Sequence, residues 1–152
     1  MTDPSASPSD EPVYPVIGVG VVVWKNDQFL LIKRGKPPRQ GQWSIPGGRQ
    51  EWGETTRETG IREVREETGL DVEITHFIDV VDSLTRADDG EVTFHLTLID
   101  YGAQWRHGDA KADTDADAVG WFTLEDLPDL KLWSETERII RRSAELRSGT
   151  SN

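Results

Sequence analysis

From Gly48 to Leu70 the chain reads GRQEWGETTRETGIREVREETGL. Thr55-x-x-Glu58 is a capping box, so the spacing predicts a helix starting at about Thr56, and Gly69 closes it at the C′ position. On such a helix Glu63 and Glu67 stand at i,i+4 and Glu63 and Glu66 at i,i+3, so all three carboxylates project onto one side. Like charges at that spacing repel unless a cation sits among them. Carboxylate oxygens are hard ligands suited to Mg²⁺ or Mn²⁺, and such ions usually act on phosphates. The bland reading is a solvated acidic helix with Arg57, Arg62 and Arg65 as ion-pair partners. The glycine pair Gly47-Gly48 upstream and Gly69 downstream favour the metal site.

Charge balance narrows the substrate. The formal net charge of −11 over 152 residues disfavours docking on a nucleic-acid polymer or an anionic membrane, which need a broad cationic face. A small phosphate ester remains open if positive charge is supplied locally. Between Gln28 and Gln50 there is no Asp or Glu, while Lys33, Arg34, Lys36, Arg39 and Arg49 all fall there. This basic segment reads as a phosphate-binding wall, with Arg34, Arg39 and Arg49 as substrate-binding candidates. The chain has no cysteine, which removes disulfides and thiolate zinc sites. It shows no apolar run long enough to span a bilayer and no signal-peptide pattern at its start, so the expected location is cytoplasmic.

Working outward, residues 1–12 are Pro, Ser, Asp and Glu rich and read as a disordered tail. Residues 13–147 form one domain, and 148–152 a flexible C-terminal tail. Val16 to Trp24 is an apolar, β-branched run expected as a central strand, and Asn26-Asp27 turns it into a second strand over Phe29-Leu30-Leu31-Ile32. Pro37-Pro38 makes the basic segment a loop. Gln42 to Ile45 is a short strand stopped by Pro46-Gly47-Gly48. Gly60 inside the helix costs about 1 kcal/mol relative to Ala, which points to close packing of helix on sheet.

After Asp71 a long strand runs to Leu84, turns at Ala87 to Gly90, and pairs back over Val92 to Tyr101. Trp105 to Asp117 is expected as a polar loop. Ala118 to Phe122 is a last strand, Leu124 to Pro128 a short helical turn, and Ser134 caps a final helix burying Ile139, Ile140, Ala144 and Leu146. The architecture implied is α/β, a mixed sheet between helices.

The opening stretch resembles the signature of the Nudix hydrolases: G, five residues, E, seven residues, R-E, an aliphatic, one residue, E-E, one residue, G, an aliphatic. Gly48, Glu54, Arg62, Glu63, Val64, Glu66, Glu67, Gly69 and Leu70 meet it at every specified position, and Trp43-x-x-Pro46-Gly47-Gly48 precedes it as in many members. The resemblance covers about residues 13–147 and implies a Nudix-type α/β/α sandwich. It also implies Mg²⁺-dependent (or Mn²⁺-dependent) hydrolysis of a nucleoside diphosphate linked to another moiety, by water attack on phosphorus. Carried over by position, Glu63 and Glu67 are the principal metal ligands. Glu66 is a further ligand or orienting group, and the Gly47 carbonyl another ligand. Arg62 is expected to pair with Glu54 and fix the loop.

The general base is left between Glu66 or Glu63 and the loop acids Asp115 or Asp117. Trp52, in a polar loop beside the box, is a candidate substrate or subunit contact. The chain looks most like the bacterial ADP-ribose pyrophosphatase and MutT-like group, although no proline occurs between Pro46 and Pro128, where many ADP-ribose enzymes carry one shortly past the box. A (d)NTP-sanitising pyrophosphatase and an idle nucleotide-sensing module are the alternatives. Homodimers are common among relatives of this type.

Overall fold

The computed structural model describes residues 13–35, 40–111 and 116–149. The expected tail over residues 1–12, together with Arg39, Asp115 and the side chain of Asp117, lies outside them. Strands β1 (Val16–Lys25) and β2 (Gln28–Arg34) form the first hairpin. Two short strands follow, β3 (Trp43–Ser44) and β4 (Gly47–Arg49), and then helix α1 (Thr56–Thr68). A long hairpin of β5 (Asp71–Arg86) and β6 (Val92–His107) leads to β7 (Ala116–Phe122). One 3₁₀ turn precedes the short helix α2 (Leu127–Leu130), and α3 (Ser134–Gly149) ends the described chain.

The sheet runs in the order β3-β2-β1-β6-β5. β1 is parallel to β6, while its other pairings are antiparallel. Alternation along β1 decides the two layers. Val19, Val21 and Val23 face one side with Val64 and Leu70. Val22 and Trp24 face the other with Phe29, Leu31, Leu127, Ile139 and Ile140. Each face is thus covered by its own helix, the expected α/β/α arrangement.

One topological detail creates the site. β1 and β2 pair only next to their turn, at Trp24↔Phe29 and Lys25↔Gln28. Beyond it they diverge: β4 pairs with β1 and β7 pairs with β2. Gly47-Gly48 therefore belongs to a strand rather than ending one. A side chain at Gly47 would run into the Val19 carbonyl, so only a bare backbone can lie there.

The structure also extends β6 to His107, where a polar loop from Trp105 was expected. Trp105 pairs with Val72, packs on the core and donates its indole N–H to the Gly108 carbonyl at 2.9 Å. An aromatic anchor outweighs the polar residues around it. β7 begins at Ala116 rather than Ala118, and α3 takes Ser134 as its first residue and continues past Arg147 to Gly149. Gly60 packs as expected, since a Cβ there would touch Val21 Cγ2 at 3.0 Å.

Candidate active site

Helix α1 carries the acids because its two ends are fixed. The Thr55 hydroxyl accepts the Glu58 N–H at 3.1 Å, the Glu58 carboxylate accepts the Thr55 N–H at 2.9 Å, and Gly69 ends the helix at φ 78°. With both ends set, Glu63 and Glu67 face β4. The Gly47 N–H donates to Glu67 Oε1 at 2.9 Å, and a Cβ on Gly48 would collide with the Glu63 carboxyl. Glu63 and Glu67 also share a hydrogen bond. Burial pushes Glu67 up to about 8, partly offset by the Gly47 N–H, and pushes Glu63 up as well. Two desolvated carboxylates sharing a proton, set against bare glycine backbone, form a donor set that fits a hard divalent ion in the proton's place.

Glu66 is not part of that pair. Its side chain is 59% exposed and accepts from Arg62 Nη1 at 3.2 Å. Among the described residues no three acidic or histidine side chains converge on one point. The structure thus brings together Glu63 and Glu67 and leaves Glu66 at the rim.

Arg62 ties the loop to the helix. Its Nε donates to Glu54 Oε2 at 2.7 Å and its Nη2 to Glu54 Oε1 at 3.0 Å, a two-pronged pairing. Further bonds reach Glu63 Oε1 at 2.8 Å and the Arg49 carbonyl at 3.1 Å. Thr59 adds a hydroxyl donor to Glu54 at 2.7 Å. Held by Arg62 and Thr59, the Glu54 carboxyl falls to about 2. The expected Arg62–Glu54 pairing is therefore present, and it locks the strand carrying Gly48 to the acidic helix.

The divergence of β1 and β2 opens a cavity of about 460 Å³. Gly47, Gly48 and Arg49 line one end of it, so it shares a wall with the Glu63–Glu67 pair. Arg34 also lines it and lies close enough to lower the Glu67 pKa electrostatically. Trp52, by contrast, is fully exposed and outside the lining. The far side consists of Trp43, a tryptophan that sequence alone favours as core, and Trp133, the row Phe94, Leu96, Leu98 and Asp100 on β6, and Glu135 and Thr136 on α3. Of these, sequence reasoning assigned none to the site. Asp100 is 3% exposed, and burial pushes its carboxyl up to about 7. A signal for it existed. Phe94, Leu96, Leu98 and Asp100 recur with the strand's period of two, so an acid stands in line with an inward apolar row.

An α/β/α sandwich whose acidic helix abuts a glycine strand beside a cavity fits a small-molecule phosphate hydrolase. The comparisons agree. A model of the NUDIX domain matches residues 15–143, and the chain belongs to the Nudix family. It is 35% identical over 129 residues to an ADP-ribose pyrophosphatase of Methanocaldococcus jannaschii, covering 85% of this chain and 73% of that one. It is 31% identical over 128 residues to a MutT-like protein of Streptomyces ambofaciens, covering 84% and 75%. The crystal structure of the MutT NUDIX hydrolase from Burkholderia pseudomallei superposes with a TM-score of 0.74 at 31% identity, covering 86% of this chain and 98% of that one. The protein is accordingly a Nudix hydrolase acting on phosphoric anhydride bonds. No helix among the described residues is long and apolar enough to cross a membrane.

Proposed function

We propose that the protein is a divalent-cation-dependent pyrophosphohydrolase for a nucleoside diphosphate linked to another moiety, of the ADP-ribose kind, releasing a nucleoside monophosphate and a phosphorylated product. The observation that carries this reading is the Glu63–Glu67 pair lying against Gly47-Gly48 beside a cavity of about 460 Å³. Glu63, Glu67 and the Gly47 carbonyl would hold Mg²⁺ or Mn²⁺, and Glu66 could join by leaving Arg62. The ion would supply charge neutralisation at the pyrophosphate oxygens and acidify a water.

The chain's own residues do the remainder. Arg34 and Arg49, on the cavity wall, hold the phosphate charge, and Arg39 and Trp52 are further candidates for substrate contact. Arg62 and Glu54 keep the glycine strand in register with the helix. In the reaction the water oxygen bonds to phosphorus, the bridging P–O bond breaks and the phosphate leaves as an anion. The water's proton passes to a carboxylate. Glu66, exposed on the helix that carries Glu63, is the acceptor we favour; Asp115 and Asp117 are the alternatives.

A substrate panel tests the reading: ADP-ribose, 8-oxo-dGTP, CTP, dinucleoside polyphosphates and NADH, with and without Mg²⁺, and with products identified. AMP and a sugar phosphate from ADP-ribose are expected. Preferential release of pyrophosphate from a triphosphate would instead assign the MutT-like reaction, and tight binding without turnover the sensor.

A further inference from the structure

Asp100 is buried, yet no described residue makes a hydrogen bond or ion pair with its carboxyl. It sits on β6 opposite Gly20, where a Cβ would collide with its Oδ1 and would come within 2.8 Å of Ile45 Cδ1. The backbone has thus been stripped to make room for this carboxyl. Among the described residues, no hydrogen bond or ion pair engages it, and no buried side-chain oxygen is both sealed from solvent and unpaired. Its oxygens therefore open into the cavity. The nearest cation on α3, Arg138, is bound to Asp79 of β5 at 3.0 Å and to Glu135 at 2.7 Å. Arg34 of β2 also lines the cavity. The walls beside Asp100 are Leu98, Leu96, Phe94, Trp43 and Ile139.

An unpartnered, nine-tenths-buried carboxyl at the side of an aromatic and aliphatic slot is costly unless a ligand satisfies it. A ribose would not need such apolar walls, whereas a planar heterocycle with a polar edge fits both features. Resting on the ADP-ribose-like reading above, we propose that Asp100 is the specificity-determining residue that reads the adenine edge, accepting a hydrogen bond from the exocyclic amine and donating one to the adjacent ring nitrogen. Asp79 and Glu135 reinforce burial in keeping the acid protonated near neutrality, while Arg138 opposes them. A protonated carboxyl offers one donor and one acceptor side by side, the complement of adenine's donor and acceptor.

The test is AMP binding measured by calorimetry with a chelator present, so that neither turnover nor the cation enters the readout. The comparison ligand is purine riboside 5′-monophosphate, which lacks the amine. Wild-type protein at pH 6.5 should bind AMP roughly tenfold more tightly than the purine analogue, which reads the amine, and its affinity for both ligands should fall towards pH 8.5 as the donor to the ring nitrogen is lost. Asp100→Asn presents the same donor and acceptor without titrating, so the ratio of wild-type to Asp100→Asn affinity for AMP should fall over the same pH range. Titration of the ligand's own phosphate is common to both proteins and cancels in the ratio. Asp100→Leu should abolish the preference at every pH.

An Asp100→Asn protein whose AMP affinity titrates like wild type, an Asp100→Leu protein that keeps the AMP preference, or no discrimination by wild type would overturn the assignment. Should Asp100→Leu not fold, the comparison of Asp100→Asn with wild type decides. ADP-ribose turnover with Mg²⁺ is measured separately. AMP preference without that turnover breaks the proposed substrate and keeps the base reader; turnover without the preference breaks only the base reader.

Discussion

Glu54 and Glu67 belong to one short stretch, yet folding drives their acidities apart. Two-pronged pairing with Arg62 takes Glu54 down to about 2, and burial takes Glu67 up to about 8. Glu54 is complete: a guanidinium, the Thr59 hydroxyl and the Glu51 N–H satisfy its oxygens. Glu67 has one backbone donor and a proton shared with another acid. The contrast separates an anion that holds the loop from one that awaits a cation, although both are glutamates of the same motif.

The largest effect expected from this contrast is at the incomplete end. Glu67→Gln keeps the shape and the Gly47 contact but removes the charge. If Glu67 is a direct ligand, turnover should fall by more than about a hundredfold, beyond what the loss of an outer partner costs. In a chelator its thermal stability at pH 8 should equal or exceed wild type, because no buried carboxylate then has to ionise. Near-normal turnover in a steady-state assay would remove Glu67 from the ligand set.

At the complete end, Arg62→Lys should lower activity by about 10- to 100-fold, as outer partners do. Lysine keeps the charge but cannot make the two-pronged bond to Glu54. A Lys variant with wild-type kcat and KM would show that charge alone holds the loop. Because Arg62 also reaches Glu63 and Glu66, Glu54→Gln is the companion measurement; it disturbs the loop while leaving those contacts intact.

The two ends also differ in pH dependence. In a chelator, the folded protein keeps the Glu67 proton from about 4.5, the unfolded value, to about 8. Stability from this group therefore falls as pH rises through that window. Asp100, moved from 3.8 to about 7, acts with the same sign. Glu54 acts with the opposite sign: its contribution is present above 4.5 and is lost as pH falls towards 2. Thermal melting in chelator should thus be highest at mildly acidic pH and lower by a few kcal/mol at pH 8.5. Mg²⁺ should restore stability at pH 8.5 more than at pH 5.5, since the ion binds the ionised pair. A flat melting profile between pH 5 and 8 would dissolve the contrast.

Why the sequence disclosed one side of the site and hid the other follows from the range of the interactions. Helix α1 is local: capping box, acid spacing and Gly69 all lie within its own few turns, and the motif reads directly. The β1–β6 pairing is parallel and distant in sequence, bringing Gly20 to Asp100, and nothing near either residue announces the other. β4 was missed for a related reason, since glycines lack strand-forming side chains and form a strand here because β1 supplies the partner. For Trp43, sequence alone favours a core position. It does stack edge-on against Phe122 with centroids 5.0 Å apart, and it also lines the cavity. A burial argument does not separate those two roles.

The smallest expected effect concerns Trp52, which is fully exposed beside the glycine strand. It touches no core cluster, so Trp52→Ala should leave stability within about 0.5 kcal/mol of wild type. A Trp kept in open solvent in this loop, whose neighbours Glu51 and Glu54 are tied to Arg62, is expected to meet either substrate or a second copy of the chain. The two outcomes part cleanly in one experiment. A severalfold rise in KM at constant kcat, independent of protein concentration, makes Trp52 a substrate contact. A shift towards smaller mass in light scattering, with kinetics unchanged at high protein concentration, makes it a subunit contact. Unchanged kinetics and unchanged mass would remove Trp52 from the site altogether and leave recognition to the cavity walls.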